Sequence, residues 1–184
     1  MFQTNTITRR AALLLAAAGL LLSGCGSLGL GKSSPPAAPA KPKAVVALAL
    51  GGGASKGFAH IGVLKVLQEN RIPVDIVTGT SAGAVVGSLY ASGMSPDRLE
   101  LEAEILQKTD VVDLTLSTSG FIKGDKLQDF INQKVRNRQI QQFPKKFAAV
   151  ATEFGTGRMA AFNYGNAGQA VRASVSIPNV FQPT

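Results

Sequence analysis

The stretches VVALALGGGASKG, residues 45–57, and VDIVTGTSAG, residues 74–83, decide the fold of this chain. Each is a short apolar run that leads into a glycine-containing turn, and each is followed by apolar residues at helical spacing. Apolar runs of this length are typical of buried strands, and glycines mark the turns that end them. Two successive strand–turn–helix units predict an α/β fold with a largely parallel sheet.

The rest of the chain continues this alternation. The continuous apolar run Ala44–Leu50 predicts a central strand. Ser95–Pro96 and Gly124–Asp125 are predicted helix starts. Further strands are predicted at 74–78, 146–152 and 158–162, and helices at 58–70, 82–91, 96–108, 126–135 and 168–174.

The pentapeptide Gly79-Thr80-Ser81-Ala82-Gly83 satisfies G-x-S-x-G and lies between a predicted strand and a predicted helix. A sharp turn in this context strains the serine backbone and exposes its Oγ, which larger side chains at Gly79 and Gly83 would obstruct. We therefore predict that Ser81 is a nucleophile. A tight turn with a buried serine is the alternative.

The glycine turn, residues 51–57, ends the first strand and opens a helix, so its backbone amides can bind an anion. That anion is either a nucleotide phosphate or the oxyanion of an acyl-transfer intermediate. A dinucleotide fingerprint needs a sixth-position glycine and an acidic residue closing the second strand. Here the sixth position is Lys56, and Asp75 opens that strand. The oxyanion interpretation fits better, because turns leaving neighbouring parallel strands lie at the same sheet edge.

LALGGGASKGFAHIGVLKVL and VDIVTGTSAGAVVGSLYASG closely resemble the patatin-like phospholipase family of lipid acyl hydrolases, and later segments extend the resemblance over residues 44–184. The resemblance implies a three-layer α/β/α sandwich with a mainly parallel central sheet. It implies that Ser81 is the nucleophile of a Ser–Asp dyad acting on acyl-ester lipids without a metal or organic cofactor. It implies an oxyanion hole formed by the backbone of Gly51, Gly52, Gly53 and Ala54. It also implies that Lys56, Gly57, Gly79 and Gly83 are motif positions.

The family's general base is an Asp in a D-G-G or D-G-A motif, and no Asp of this sequence is followed by Gly. In the family that motif follows the segment matching SIPNVFQP, and this sequence stops at Thr184. We expect either a chain truncated before its base or a natural short form without one. The second possibility predicts a non-catalytic protein of the same fold.

Residues 1–24 resemble a bacterial lipoprotein signal peptide that precedes a lipidated Cys25. Residues 25–43, rich in Gly, Ser, Pro and Ala, predict a solvated linker to the domain at 44–184. The expected location is the cell envelope, on the outer membrane facing the periplasm, and an uncleaved signal anchor is the alternative. The Walker A string at 26–33 has neither a strand before it nor a helix after it, so we interpret it as a chance match.

The formal charge of +8 does not indicate a nucleic-acid binder, because much of the excess lies before residue 44. One Cys and one His exclude a Cys/His metal cluster. The single histidine, His60, falls in the first predicted helix, where a packing or supporting role is expected rather than that of the base. Five basic residues are expected to form a solvated face, with anionic lipid headgroups as the alternative partner: Lys134, Arg136, Arg138, Lys145 and Lys146.

Overall fold

The computed structural model describes residues 43–108 and 124–177, all within one compact unit, Lys43–Thr184. The strands are β1 (Ala47–Leu50), β2 (Ile76–Thr80), β3 (Lys146–Thr152) and β4 (Met159–Phe162). The α-helices are α1 (Ala59–Glu69), α2 (Ala82–Ala91), α3 (Pro96–Lys108), α4 (Asp125–Lys134) and α5 (Ala167–Val175). Short 3₁₀ helices span Ala54–Phe58 and Ile140–Gln142.

The four strands form one sheet in the order β1-β2-β3-β4. The first three strands are mutually parallel, and β4 returns antiparallel to β3. The α/β class and the mainly parallel sheet are confirmed. The predicted central position of β1 is wrong for the described residues, since β1 is an edge strand there and β2 and β3 occupy the centre.

The second strand begins later than its apolar run predicts, at Ile76 rather than Val74. The Asp75 carboxylate accepts a hydrogen bond from the Val46 amide at 3.0 Å, and strand pairing starts one residue on, with Ala47 opposite Ile76. Pairing then continues through Gly79, opposite Leu50. The strand therefore runs directly into the serine turn.

Two helix starts agree with the sequence signals, and a third has an N-cap residue that those signals did not include. The helix after Ser95 begins at Pro96, and α4 begins after Gly124, which has φ 75°. α5 begins at Ala167, because the Asn166 side chain accepts a hydrogen bond from the Gln169 amide at 2.8 Å. Asn166 is a standard N-cap residue that the sequence analysis missed.

One face of the sheet is closely packed. Its side chains Leu50, Val77 and Phe147 are buried, and α2 lies on them through Gly87. An added Cβ at Gly87 would be only 3.1 Å from Val77 and 3.2 Å from Phe147. This close approach fixes the start of α2, where Ser81 lies, against the sheet.

The opposite face of β2 and β3 is half-buried or exposed along its length. The second helical layer that the family resemblance implies therefore stays a prediction. Among the described residues, no helix is long and apolar enough to span a membrane.

Candidate active site

Ser81 lies between β2 and α2 with its backbone at φ 53° and ψ −119°, a region that non-glycine residues rarely occupy. Such a conformation costs about 1–3 kcal/mol and persists only where the surroundings hold it. On its C-terminal side the Ser81 carbonyl accepts hydrogen bonds from the amides of Ala84 at 2.8 Å and Val85 at 3.1 Å. The strained serine turn predicted from the pentapeptide is therefore present.

The two glycines of the pentapeptide are required by backbone packing. A Cβ on Gly79 would overlap the carbonyl oxygen of Gly83. A Cβ on Gly83 would overlap the carbonyl oxygen of Leu50 and lie 2.7 Å from that of Gly51. Access to the serine hydroxyl was the reason expected from sequence. The structure adds a second reason, which is that the start of α2 presses on the end of β1.

The glycine turn lies directly beside Ser81. A Cβ on Gly52 would be in van der Waals contact with the Ser81 Cβ, at 3.4 Å. Residues 51–56 are exposed, and within the turn the Lys56 amide donates to the Gly53 carbonyl at 3.0 Å. The predicted adjacency of the two turns follows from the parallel pairing of β1 with β2.

Backbone conformation in the glycine turn is unusual at two consecutive residues. Gly53 has φ 144° and Ala54 has φ 48°. The 3₁₀ helix that follows packs its Gly57 against the start of α2, where a Cβ would lie 2.5 Å from the Ala82 Cβ. The two turns are therefore packed against each other. The Ala54 backbone lies in the left-handed region, which usually favours glycine because glycine has no Cβ.

His60, the second residue of α1, contacts the glycine turn rather than the serine. Its Nε2 lies 2.9 Å from the carbonyl oxygen of Gly51. Because a carbonyl can only accept, the ring nitrogen must donate. This geometry matches the supporting role expected for His60 and separates it from a general base.

Ser174, near the end of α5, also contacts the elbow, the turn formed by residues 79–83. Its hydroxyl lies 2.8 Å from the Ser81 amide and 2.6 Å from the carbonyl oxygen of Val150. Sequence reasoning missed this residue because no motif within the chain marks a serine 93 positions from its partner.

Three aspartates of the described residues bind groups other than Ser81. Asp75 binds the Val46 amide at the opposite end of β2, and Asp125 pairs with Arg172 at 2.7 Å. Asp97 lies 3.7 Å from Lys65. Within residues 43–108 and 124–177, no hydrogen bond joins the Ser81 hydroxyl to a carboxylate. Two aspartates, Asp110 and Asp113, lie outside the described residues.

The β3–β4 hairpin reaches the same sheet edge as Ser81, because β3 is parallel to β2 and its last residues follow Val150, the partner of Thr80. Phe154 and Met159 are 79% and 74% exposed there. Hydrogen bonds from the Thr156 hydroxyl and the Arg158 guanidinium lower the pKa of the Glu153 carboxyl. The hairpin therefore exposes two large apolar side chains at the end of the sheet where Ser81 lies.

Three of the five basic residues expected on a solvated face bind protein groups instead. Lys134 pairs with the buried Glu102 carboxylate at 2.6 Å. Arg138 donates to the Ser92 carbonyl at 2.6 Å, and Lys145 donates to the Val74 carbonyl at 3.1 Å. The solvated-face prediction is therefore wrong for these three side chains.

Lys146, another of the five basic residues, lies away from Ser81. Lys146 starts β3 and pairs with Ile76, at the other end of the strand that leads to Ser81. Headgroup binding there would not present an ester to the elbow.

Among residues 43–108 and 124–177, no group of three or more His, Cys, Asp or Glu could hold a metal ion. Residues 1–42, which include the predicted signal segment, Cys25, the Walker string and the linker up to Pro42, lie outside the described residues. The predictions made for them, and the division of the chain into segments, stay predictions.

The sequence model of the patatin-like phospholipase family matches residues 48–184, which include both turns. The chain belongs to this family. The patatin-like match reaches the last residue, and the expected truncation before a D-G-G or D-G-A motif stays a prediction.

Curated relatives agree with this membership. An uncharacterized NTE family protein of Mycobacterium bovis is 36% identical over 140 residues, which cover 75% of this chain and 39% of the relative. Human patatin-like phospholipase domain-containing protein 6 is 33% identical over 144 residues, which cover 75% of this chain and 10% of the relative. The patatin-like chain thus spans well under half the length of either relative.

Solved structures share the fold. VipD from Legionella pneumophila superposes with a TM-score of 0.62 at 16% identity, over 78% of this chain and 44% of VipD. ExoU from the type III secretion system of Pseudomonas aeruginosa, in complex with SpcU, superposes with a TM-score of 0.59 at 19% identity, over 73% and 38% of the two chains. At these identities the likeness concerns the patatin-like architecture alone.

Proposed function

We propose that this protein is a serine hydrolase of acyl-ester lipids, with Ser81 as its nucleophile. The observation that carries the proposal is the strained Ser81 backbone, φ 53° and ψ −119°, beside an exposed glycine turn. A nucleophile on a sharp strand-to-helix turn and backbone amides at its side are two of the parts that acyl transfer requires. Family membership supports a lipid ester as the substrate class.

The chemistry follows from this arrangement. A general base takes the Ser81 proton as Oγ attacks the carbonyl carbon of the ester, and amides of Gly51, Gly52, Gly53 and Ala54 donate to the resulting oxyanion. The carbon–oxygen ester bond then breaks, and the alcohol leaves with a proton. Water then attacks the acyl-enzyme carbonyl and gives one proton to the base. The bond between Oγ and the acyl carbon breaks, the base returns that proton to Oγ, and the fatty acid is released. No metal or organic cofactor takes part in this scheme.

This scheme has no assigned general base. The family resemblance implies an aspartate in a D-G-G or D-G-A motif, and none of the six aspartates here is followed by glycine. This observation favours a second candidate function, a non-catalytic patatin-fold protein that binds lipid without cleaving it.

A fluorophosphonate probe tests the first candidate, because it phosphonylates activated serines. We expect the full chain to be labelled at Ser81 and Ser81→Ala to lose the label. Turnover of a chromogenic acyl ester, lost in the same variant, separates the two candidates. Labelling that survives in Ser81→Ala would reject this nucleophile. Stable folding with neither labelling nor turnover would favour the non-catalytic candidate.

We also propose that the protein is exported and held by lipid on Cys25 at the outer membrane, facing the periplasm. The signal-like residues 1–24 and the Gly-Ser-Pro-Ala linker at 25–43 support this location. Two acyl chains or more on one cysteine bury enough methylene groups for stable anchoring. The intact mass of the membrane-extracted protein tests it, with Cys25→Ser as the control. An unmodified Met1 in the membrane fraction would favour an uncleaved anchor instead.

A further inference from the structure

The Ser174 hydroxyl joins three separate elements of the domain. Its oxygen lies 2.6 Å from the carbonyl oxygen of Val150 on β3 and 2.8 Å from the backbone nitrogen of Ser81. The hydroxyl has one proton and the Val150 carbonyl can only accept, so that proton is directed at β3. The Ser174 oxygen must therefore accept its second hydrogen bond from the Ser81 amide.

This bond completes the restraint of the strained residue. The Ser81 carbonyl is held from within α2, by the amides of Ala84 and Val85. The Ser81 amide is held from outside, by a helix end nearly a hundred residues later in the chain. Val150 is also the register partner of Thr80, so the bridge joins adjacent strands at the elbow.

We propose that Ser174 is a positioning residue that keeps the Ser81 backbone in its strained conformation and thereby aims Oγ at the substrate carbonyl. The inference rests on the proposed role of Ser81 as nucleophile. Ser174 acts through the Ser81 amide and has no contact with the substrate. Because it occupies that amide, it also leaves oxyanion donation to the glycine turn.

The kinetic test compares Ser174→Ala with Ser174→Thr, which keeps the hydroxyl, and with Ser88→Ala as a matched control. Ser88 also donates its hydroxyl to a carbonyl, that of Val85, but within its own helix. Misplacing the nucleophile in this way lowers the reaction rate by about 10- to 100-fold. We expect that loss in the labelling rate and kcat of Ser174→Ala, with KM unchanged, recovery in Ser174→Thr and no loss in Ser88→Ala.

Two results would overturn the proposal. One is a Ser174→Ala variant that unfolds more easily yet labels and turns over within about twofold of the original rate, since a merely structural bond would do this. The other is a raised KM with unchanged kcat, which would mean that Ser174 contacts substrate.

Amide hydrogen exchange tests the same positioning without activity. In Ser174→Ala we expect faster exchange at Ser81 by about tenfold, with unchanged exchange at Val77 in the strand core. Unchanged exchange at Ser81 would reject the proposal. If the original protein is never labelled at Ser81, the proposed function fails, while the exchange measurement still decides whether Ser174 holds the elbow.

Discussion

Two turns leave neighbouring strands at one sheet edge, and both contain glycines for different reasons. In the elbow, a Cβ on Gly79 would overlap backbone atoms of Gly83 and Ala84, and a Cβ on Gly83 would overlap those of Leu50 and Gly51. In the glycine turn, Gly51 has nothing within 4 Å of an added Cβ. Glycine therefore allows close packing at Gly79 and Gly83, as it does at Gly57, and leaves the backbone uncovered at Gly51 in the proposed oxyanion site. Substitutions that add the same methyl group should separate the two uses.

The largest effect is expected for Gly83→Ala. The added methyl meets the Leu50 carbonyl, a backbone group in a paired strand that cannot move aside. Overpacking of this kind costs about 3 kcal/mol or more where the surroundings are rigid. Urea unfolding followed by circular dichroism measures the change in the free energy of unfolding.

Gly62→Ala is the matched control for this change, since Gly62 lies within α1 and has open space around an added Cβ. Replacing a helical glycine by alanine should raise stability by about 0.5–1 kcal/mol. A Gly83→Ala variant as stable as Gly62→Ala would show that the elbow is loosely packed.

A smaller effect on stability but a marked one on activity is expected for Gly52→Ala. The new methyl would touch the Ser81 Cβ at 3.4 Å, an ordinary contact distance, so the fold should tolerate it. It would nevertheless occupy the space through which the ester carbonyl must approach Oγ. Displacing the substrate lowers the reaction rate by about 10- to 100-fold. Fluorophosphonate labelling kinetics, with the unfolding free energy as a check, measure both quantities.

Gly51→Ala is the comparator within the same turn. Its methyl points into open space, so we expect a smaller loss of labelling rate than in Gly52→Ala. Equal losses in the two variants would mean that the conformation of the turn matters more than the space beside Ser81.

This contrast marks how far the sequence alone reaches. Local patterns predicted both turns, the parallel strands that lead into them and the strained Ser81. Strand, turn and helix signals are properties of neighbouring residues. Contacts between distant residues were not predicted. The Ser174 bond joins α5 to the elbow, and the edge position of β1 depends on which strands pair across the sheet. Both depend on tertiary packing that a single sequence does not encode at any one position.

Prediction of the basic residues failed for a related reason. Lys145 and Arg138 belong to a basic segment typical of a solvated face. Their side chains nevertheless bind the carbonyls of Val74 and Ser92, which are distant in sequence. Their Nζ and guanidinium groups also lie over the rings of Tyr90 and Phe143, at 5.3 Å and 5.7 Å. A charge count locates positive residues but does not show which buried carbonyls they satisfy.

The smallest effect is expected for Ala54→Gly, which changes the backbone strain of the glycine turn. Ala54 holds φ 48°, where a Cβ costs an L-residue about 1–2 kcal/mol. Glycine relieves that strain but adds about 0.5–1 kcal/mol of chain entropy to the unfolded state, so the net gain in stability should lie between about 0 and 1.5 kcal/mol. Arg71→Gly is the control, because Arg71 has φ 54° just after α1 and away from Ser81. Both variants should gain similar stability in urea unfolding, and only Ala54→Gly should alter the labelling rate. A loss of stability in Ala54→Gly alone would show that the glycine turn depends on the alanine side chain for its shape.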